Sequence, residues 1–330
     1  MARAKASDGS ATNAETAPPA HPAPQTTGLA GSKYDFVKVR VWLGPNRAHW
    51  YTLSRFLISR TLTASRIPQD KAIRISLSVK KQLVDRGLLD INQEELERVL
   101  HAMLQKHGCA SAGILTRYRT VAGFFQARRP LVILLCGAPG TGKTSIAQQL
   151  GARLNLPNVL QTDLLLQALG PELLPDPGPG ASLVSQFTSR SRLVRNLLAG
   201  DIEKEGKSAI IEGFYLDLNL YLNEFSSSVV LLDAKVNQAG SSPPRSPDTQ
   251  RLLVVPVVLW AKPEIQTLLP RVIDEGDSCR RAGLEIQTHL QRLRDCGVPL
   301  IEADPGCYNN AVDALHDHVL ACIEACATTS

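Results

Sequence analysis

The chain has 330 residues, 44% of them hydrophobic, and carries 36 Lys and Arg against 31 Asp and Glu for a formal charge of +5. Such a length accommodates two domains and a substantial core. The basic excess is slight and no stretch combines dense Lys/Arg with interleaved aromatics, so nucleic acid is not an expected partner, while a small anionic substrate fits the charge as well. No apolar run approaches the ~20 residues of a membrane helix, and no secretory apolar segment follows the N-terminus, so the membrane is not an expected partner either. The seven cysteines include no C-x-x-C pair and no His at zinc-ligand spacing. Reduced thiols inside a cell are the expectation, cytoplasmic first, with nucleus and plastid left open.

Residues 1–33, rich in Ala, Pro, Ser and Thr, read as a disordered tail. Phe36 to Trp42 alternates as a strand does, and Gly44-Pro45-Asn46 turns the chain. Leu53 to Leu62 reads as a helix. Ala72, Ile75, Val79 and Leu83 recur at near-helical spacing, with Gly87 as a stop. Asn92 and Glu95 form a capping-box start, after which Leu96, Val99, Leu100, Met103 and Leu104 mark one apolar face. Residues 34–125 therefore read as a small, mostly helical domain opened by a strand.

Residues 126–330 read as a second domain. Leu131 to Cys136 is a buried strand, and Ile146, Ala147, Leu150 and Leu154 follow at helical spacing. Val159-Leu160 leads to Thr162-Asp163 as a second strand. Pro171 to Gly180 is a loop, and 182–206 a helix carrying Arg190, Arg192 and Arg195. Ala209 to Gly213 is a third strand with Glu212 near its C-terminal end. Residues 226–250 read as a flexible insertion. Leu252 to Trp260 is a fourth strand; Pro256 within it implies that pairing starts there or that the strand bulges. Val298 to Ile301 is a fifth strand and 310–326 a closing helix, with Cys322 and Cys326 on one face and His316 and His318 diverging as surface residues. Strands alternating with helices imply an α/β fold, a parallel sheet covered by helices on both faces.

Between the first strand of this domain and its helix stands Gly137-Ala138-Pro139-Gly140-Thr141-Gly142-Lys143-Thr144, which fits the phosphate-binding pattern G-x-x-x-x-G-K-S/T in the context that gives the pattern meaning. Glycines let backbone N–H groups turn toward phosphate oxygens, and a helix N-terminus adds unpaired donors. Residues 137–145, Ser145 included, are thus the expected ATP site. Lys143 is expected to reach the β- and γ-phosphates and Thr144 to bind Mg²⁺. Asp163 ends the second strand, where it could orient or deprotonate an acceptor hydroxyl, or cap the helix 164–169. Glu212 ends the third strand, where it could support the magnesium or cap a loop. Arg192 and Arg195, three apart on one helix face, suit a phosphate or carboxylate of the acceptor; a solvated helix face is the plainer alternative. Arg190, two residues from Arg192, should point elsewhere. Arg271, Arg280 and Arg281 follow the fourth strand, where P-loop kinases carry a lid.

The segments Tyr34-Asp-Phe-Val-Lys-Val-Arg-Val-Trp-Leu-Gly44, Leu53-Ser-Arg-Phe-Leu57, the P-loop, Leu154-Asn-Leu-Pro-Asn-Val-Leu-Gln-Thr-Asp163, Leu198-Ala-Gly-Asp201 and Ile210-Ile-Glu-Gly213 together resemble the 2-phosphoglycerate kinase family, and still more the plant low-phytic-acid P-loop proteins. The resemblance implies a P-loop NTPase fold of the small-molecule kinase type, preceded over 34–125 by a domain similar to an ATP-cone, in which Arg55 would contact phosphate. It further implies ATP-dependent phosphorylation of 2-phosphoglycerate in the archaeal branch and a link to inositol phosphate metabolism in the plant branch.

The expected activity is Mg²⁺-ATP-dependent transfer of the γ-phosphate to a hydroxyl of a small phosphorylated acid, with Lys143, Asp163 and Glu212 catalytic, Thr144 and Glu212 at the metal, and Asp163, Arg192 and Arg195 at the acceptor. The rival is an ATP-binding regulator of phosphate or inositol phosphate metabolism with little turnover. A GTPase is disfavoured because no N-K-x-D motif occurs, and Glu212-Gly213 in place of Asp-Glu argues against an AAA-type machine. The oligomeric state is left open.

Overall fold

Two sheets organise the residues that the computed structural model describes, namely 33–44, 46–111, 113–170, 173, 182–205, 207–224, 252–262, 285, 287–304 and 306–328. The chain divides into a unit Met1–Lys38 and a unit Val39–Ser330. In the first, one helical turn is described, α1 (Lys33–Phe36). The expected strand Phe36–Trp42 is accordingly shorter.

The second unit opens with β1 (Arg40–Leu43), antiparallel to β2 (His49–Thr52) and parallel to β3 (Asp90–Asn92). Both partners are too short to show a period, which hid this three-stranded sheet in a segment that reads as mostly helical. Four helices pack with it: α2 (Arg55–Ala64), α3 (Gln69–Asp85), α4 (Gln93–Lys106) and α5 (Ile114–Gln126). Ser54 caps α2, its hydroxyl accepting from the Leu57 N–H at 3.3 Å, so the helix begins two residues later than its apolar pattern. Ala72, Ile75, Val79 and Leu83 are fully buried along α3. The capping box of α4 forms as its spacing predicts, with Glu95 N–H donating to Asn92 Oδ1 at 2.8 Å and Asn92 N–H to Glu95 Oε2 at 3.1 Å.

The larger sheet runs β5-β6-β4-β7-β8, all parallel, from β4 (Leu131–Gly137), β5 (Val159–Gln161), β6 (Ala209–Gly213), β7 (Leu253–Trp260) and β8 (Leu300–Glu302). Every residue of β4 is buried, as a central parallel strand requires. Its side chains sort by parity. Leu131, Ile133 and Leu135 join α6 (Lys143–Leu154) and α10 (Tyr308–Thr328) on one face. Val132, Leu134 and Cys136 join Phe187, Val194 and Leu198 of α8 (Leu183–Glu205), together with Leu218 and Tyr221 of α9 (Leu218–Glu224), on the other. This is the α/β P-loop fold, helices covering both faces.

Pro256 neither starts nor bulges β7, contrary to both expectations. Pairing with β4 is unbroken from Leu253 opposite Leu131 to Leu259 opposite Gly137. The reason lies in alternation. Leu253 N–H points to β4, bonding Pro130 O, and Val258 N–H points to β8, bonding Pro299 O. The nitrogen of Pro256 therefore faces the β8 side, two residues before β8 begins pairing at Val258, and no ladder bond is lost.

Ala64, Val121 and Phe124 share one core with β4, α6 and α10, tying the N-terminal layer to the larger sheet. Asp313 of α10 binds both Arg66 (2.7 Å) and Arg153, and Asp317 binds Arg66 Nε at 2.9 Å. His316 corrects the surface reading: it is 1% exposed and its Nε2 lies 2.9 Å from Ala64 O. Diverging directions do not mean solvent on a helix packed on two sides. His318 is half-buried beside Cys322 Sγ. The tail up to residue 32, most of the 171–180 loop, the 226–250 insertion and Arg271, Arg280 and Arg281 lie outside the described residues.

Candidate functional site

β4 ends at Gly137 and α6 starts at Lys143, and the five residues between them make the loop. Gly140 and Gly142 take positive φ, 79° and 75°, a region costly for other residues. Gly142 is demanded twice over, because a Cβ there would stand 2.3 Å from the ring of Tyr308, the first residue of α10. No side chain caps α6. Its first-turn N–H groups are thus left to the loop, the condition for anion binding at a helix N-terminus.

Lys143 is buried and its Nζ donates to Ala138 O at 2.9 Å; Thr141 Oγ1 donates to the same oxygen, also at 2.9 Å. Burial pushes the Lys143 ammonium below its ordinary value, while Asp163 and Glu212 pull it back up. Pro139 is half-buried, and Gly140, Thr144 and Ser145 are exposed at the mouth of the loop.

Glu212 sits in β6 opposite Leu135 of β4 and Gln161 of β5, and is buried. Thr144 Oγ1 donates to Glu212 Oε1 at 2.7 Å. Burial raises the Glu212 carboxyl above its usual range. The Thr144 hydrogen bond and the Lys143 charge act against that, and Asp163 acts with it. A hydroxyl and a carboxylate oxygen side by side suit a hard cation that takes its remaining ligands from phosphate and water. The residues present therefore fit Mg²⁺. Among the described residues there is no cluster of three or more His, Cys, Asp or Glu built to hold a metal.

Asp163 does not cap a helix at 164. The helix α7 (Thr162–Leu169) starts earlier, and Asp163 lies in its first turn. Its Oδ1 accepts the Phe214 N–H at 3.2 Å, across to the residue that follows β6. Gly213 permits this approach: a Cβ there would fall 1.7 Å from Thr162 Oγ1. Lys143, Asp163 and Glu212 thus form one electrostatically coupled group at the carboxyl ends of β4, β5 and β6, where open parallel sheets hold ligands.

The α8 arginines separate. Arg192 is exposed, and Arg195 Nη1 donates to Asn196 Oδ1 at 3.0 Å. Arg190 leaves the helix on another flank and donates from Nη1 to Tyr215 Oη at 2.6 Å. Around that contact stands an aromatic wall that the sequence reading did not find. The Phe187 ring centroid lies 5.6 Å from Phe214, 6.4 Å from Tyr215 and 6.1 Å from His289. Its members come from three separate segments, and no spacing rule links them. Behind it, buried Asp217 accepts from Asn219 N–H at 3.1 Å and lies 3.9 Å from His289 Nε2.

No family model matches the chain. It is similar to archaeal 2-phosphoglycerate kinases. It is 29% identical over 184 residues to that of Pyrococcus furiosus, spanning 49% of this chain and 60% of the relative. It is 30% identical over 124 residues to that of Methanopyrus kandleri, spanning 38% and 37%. Against that of Methanocaldococcus jannaschii, identity is 28% over 202 residues, spanning 54% and 64%. The chain thus covers less than two thirds of the length of these relatives. Among solved structures, a shikimate kinase from Bacteroides thetaiotaomicron aligns with 57% of this chain and 98% of its own, at a TM-score of 0.35 and 15% identity. No helix among the described residues is long and apolar enough to cross a membrane.

Proposed function

We propose that the protein is a Mg²⁺-ATP-dependent small-molecule kinase whose acceptor is a hydroxyl of a phosphorylated acid of the 2-phosphoglycerate type. The observation that carries the reading is the Thr144–Glu212 contact of 2.7 Å, which joins the loop to the acid near the end of β6, in the group that Lys143 and Asp163 complete. The similarity to archaeal 2-phosphoglycerate kinases supports the acceptor class. The link to inositol phosphate metabolism rests on the sequence resemblance to the plant proteins and is part of the same proposal.

Phosphoryl transfer asks a protein for positioning and charge more than for covalent chemistry. Residues 137–145 hold the triphosphate, and Lys143 brings a desolvated positive charge to it. Thr144 and Glu212 would hold Mg²⁺, whose contribution when bound is to neutralise charge on the transferring group. Asp163 orients the acceptor hydroxyl and takes its proton as the new O–P bond forms and the bond from the γ-phosphorus to ADP breaks. The N–H of Phe214 holds that carboxylate in place. Arg192 and Arg195 stand as sequence candidates for the acceptor's anionic group.

The test is transfer from γ-labelled ATP to 2-phosphoglycerate, 3-phosphoglycerate, inositol and inositol phosphates. Label should appear on one acceptor. It should fall by about 10²–10³ in Lys143→Met, the scale for removing one preorganised charge-stabilising group, and be lost in Asp163→Asn, with folding intact in both. Full transfer by Lys143→Met would sink the assignment. ATP binding with no labelled product would move the reading to a nucleotide-binding regulator.

A further inference from the structure

We propose that Arg190, held by Tyr215, is the residue that binds the acceptor's oxyanion, and that α8 presents its Tyr215 flank, not its Arg192 flank, to the reacting groups. This rests on the kinase reading and names a contact within it.

Helical geometry separates the candidates. Phe187, Ser191, Val194 and Leu198 are the buried stripe of α8. At about 100° per residue, Arg190 and Arg192 fall on opposite sides of that stripe. The Arg190 side faces the segment that follows β6. Tyr215 comes two residues after Gly213, and its neighbour Phe214 is tethered through its N–H to Asp163 Oδ1 at 3.2 Å. The tyrosine that holds the guanidinium is therefore one residue in sequence from Phe214, which fixes the carboxylate proposed to take the acceptor proton.

Among the described residues the charge on Arg190 meets no counter-charge. Its polar contact is a neutral phenol, Tyr215 Oη at 2.6 Å, and its Cζ stands 5.3 Å from the Tyr215 ring centroid. Among the described residues no carboxylate pairs with it. Arg40, Arg66, Arg119 and Arg153 each have one. A half-buried guanidinium beside aromatic rings lies where ionic attraction is less screened than in water. The phenol occupies one of its five donors and leaves the planar fork for a carboxylate or phosphate. Phe187 and Phe214 pack against the Tyr215 ring that fixes the arginine.

Three probes separate the two oxyanions of the acceptor class: 2-phosphoglycerate, glycerate without the phosphate, and glycerol 2-phosphate without the carboxylate. Each is titrated calorimetrically into the full chain saturated with ADP, in wild type, Arg190→Met, Arg190→Lys and Arg192→Met. Arg190→Met is expected to weaken 2-phosphoglycerate binding at least tenfold while ADP affinity, the check on folding, stays within twofold. Arg190→Lys should fall between, and Arg192→Met should lose less than Arg190→Met. The probe whose affinity no longer responds to Arg190→Met lacks the group that Arg190 holds. Wild-type affinity in Arg190→Met, a larger loss in Arg192→Met, or a wild type that binds none of the probes overturns the inference. Arg190-dependent binding in a wild type that transfers no phosphate would instead overturn the kinase reading and leave this contact standing.

Discussion

Thr144 Oγ1 donates to Glu212 Oε1 across 2.7 Å, linking the last residue of the P-loop motif to an acid 68 positions further on. Two independent sequence signals converge in that one contact: a loop pattern read from its glycines, and a carboxylate read from its place at a strand end. The parallel pairing of β4 with β6, which sets Leu135 opposite Glu212, brings them together.

The burial of Glu212 has a measurable sign. Its carboxyl titrates above the usual range because burial disfavours the charged form. The folded state then holds a proton more tightly than the unfolded one, so stability falls as pH rises from the unfolded value of about 4.3 toward the folded one, and the deficit persists above it. Glu212→Gln keeps an acceptor for Thr144 and removes the charge. It should melt above wild type at pH 8, by about 2–4 °C per kcal/mol relieved, with the gap closing toward pH 4, while transfer drops by about 10²-fold. Thermal melts across that range decide it; a gap of constant size would mean that the carboxylate is not the source.

Gly142 and Tyr308 make a second paired prediction. An alanine at 142 meets both a left-handed backbone and the tyrosine ring, so Gly142→Ala should cost about 2–4 kcal/mol and weaken ADP binding. Tyr308→Ala in the same chain removes the ring and leaves the backbone strain. The double variant should therefore lose less than the sum of the two single losses in urea unfolding. Strict additivity would show that Tyr308 is not what the glycine accommodates.

Much of this site could be read from the sequence because its physics is local. A buried strand, a glycine-rich turn and a helix start are contiguous in 131–154; Glu212 closes a short apolar run, and Asp163 follows one within three residues. What escaped is what depends on packing across the chain. The wall of Phe187, Phe214, Tyr215 and His289 draws on three segments, the first two separated by β6 and the last two by β7. The strands β2 and β3 have four and three residues, too few for alternation to register. Pro256 looked disruptive because its side of β7 could be known only from the position of β8. Spacing alone separated Arg190 from Arg192 but could not tell that the Arg190 flank meets Tyr215.

His316 offers the last prediction, at the joint between α10 and α2. Burial lowers its pKa to about 4. The Ala64 carbonyl and Asp317 act against the shift, and the charges of Arg66 and Arg153 act with it. The ring is therefore neutral in the folded state at neutral pH, its Nε2–H donating to Ala64 O at 2.9 Å and joining α10 to the end of α2. An unfolded histidine takes up its proton near pH 6.5. Between that value and about 4 the unfolded chain binds the extra proton, so the contribution of His316 is present above pH 6.5 and is lost as pH falls to 4, on the order of 3 kcal/mol in all. His316→Gln retains a donor for Ala64 and does not titrate. Wild type should thus lose stability more steeply than the variant between pH 6.5 and 4 in denaturant titrations, the two curves running parallel above pH 7. Parallel curves throughout would mean that the ring is solvated in the folded protein and that the joint between α10 and α2 is held by other groups.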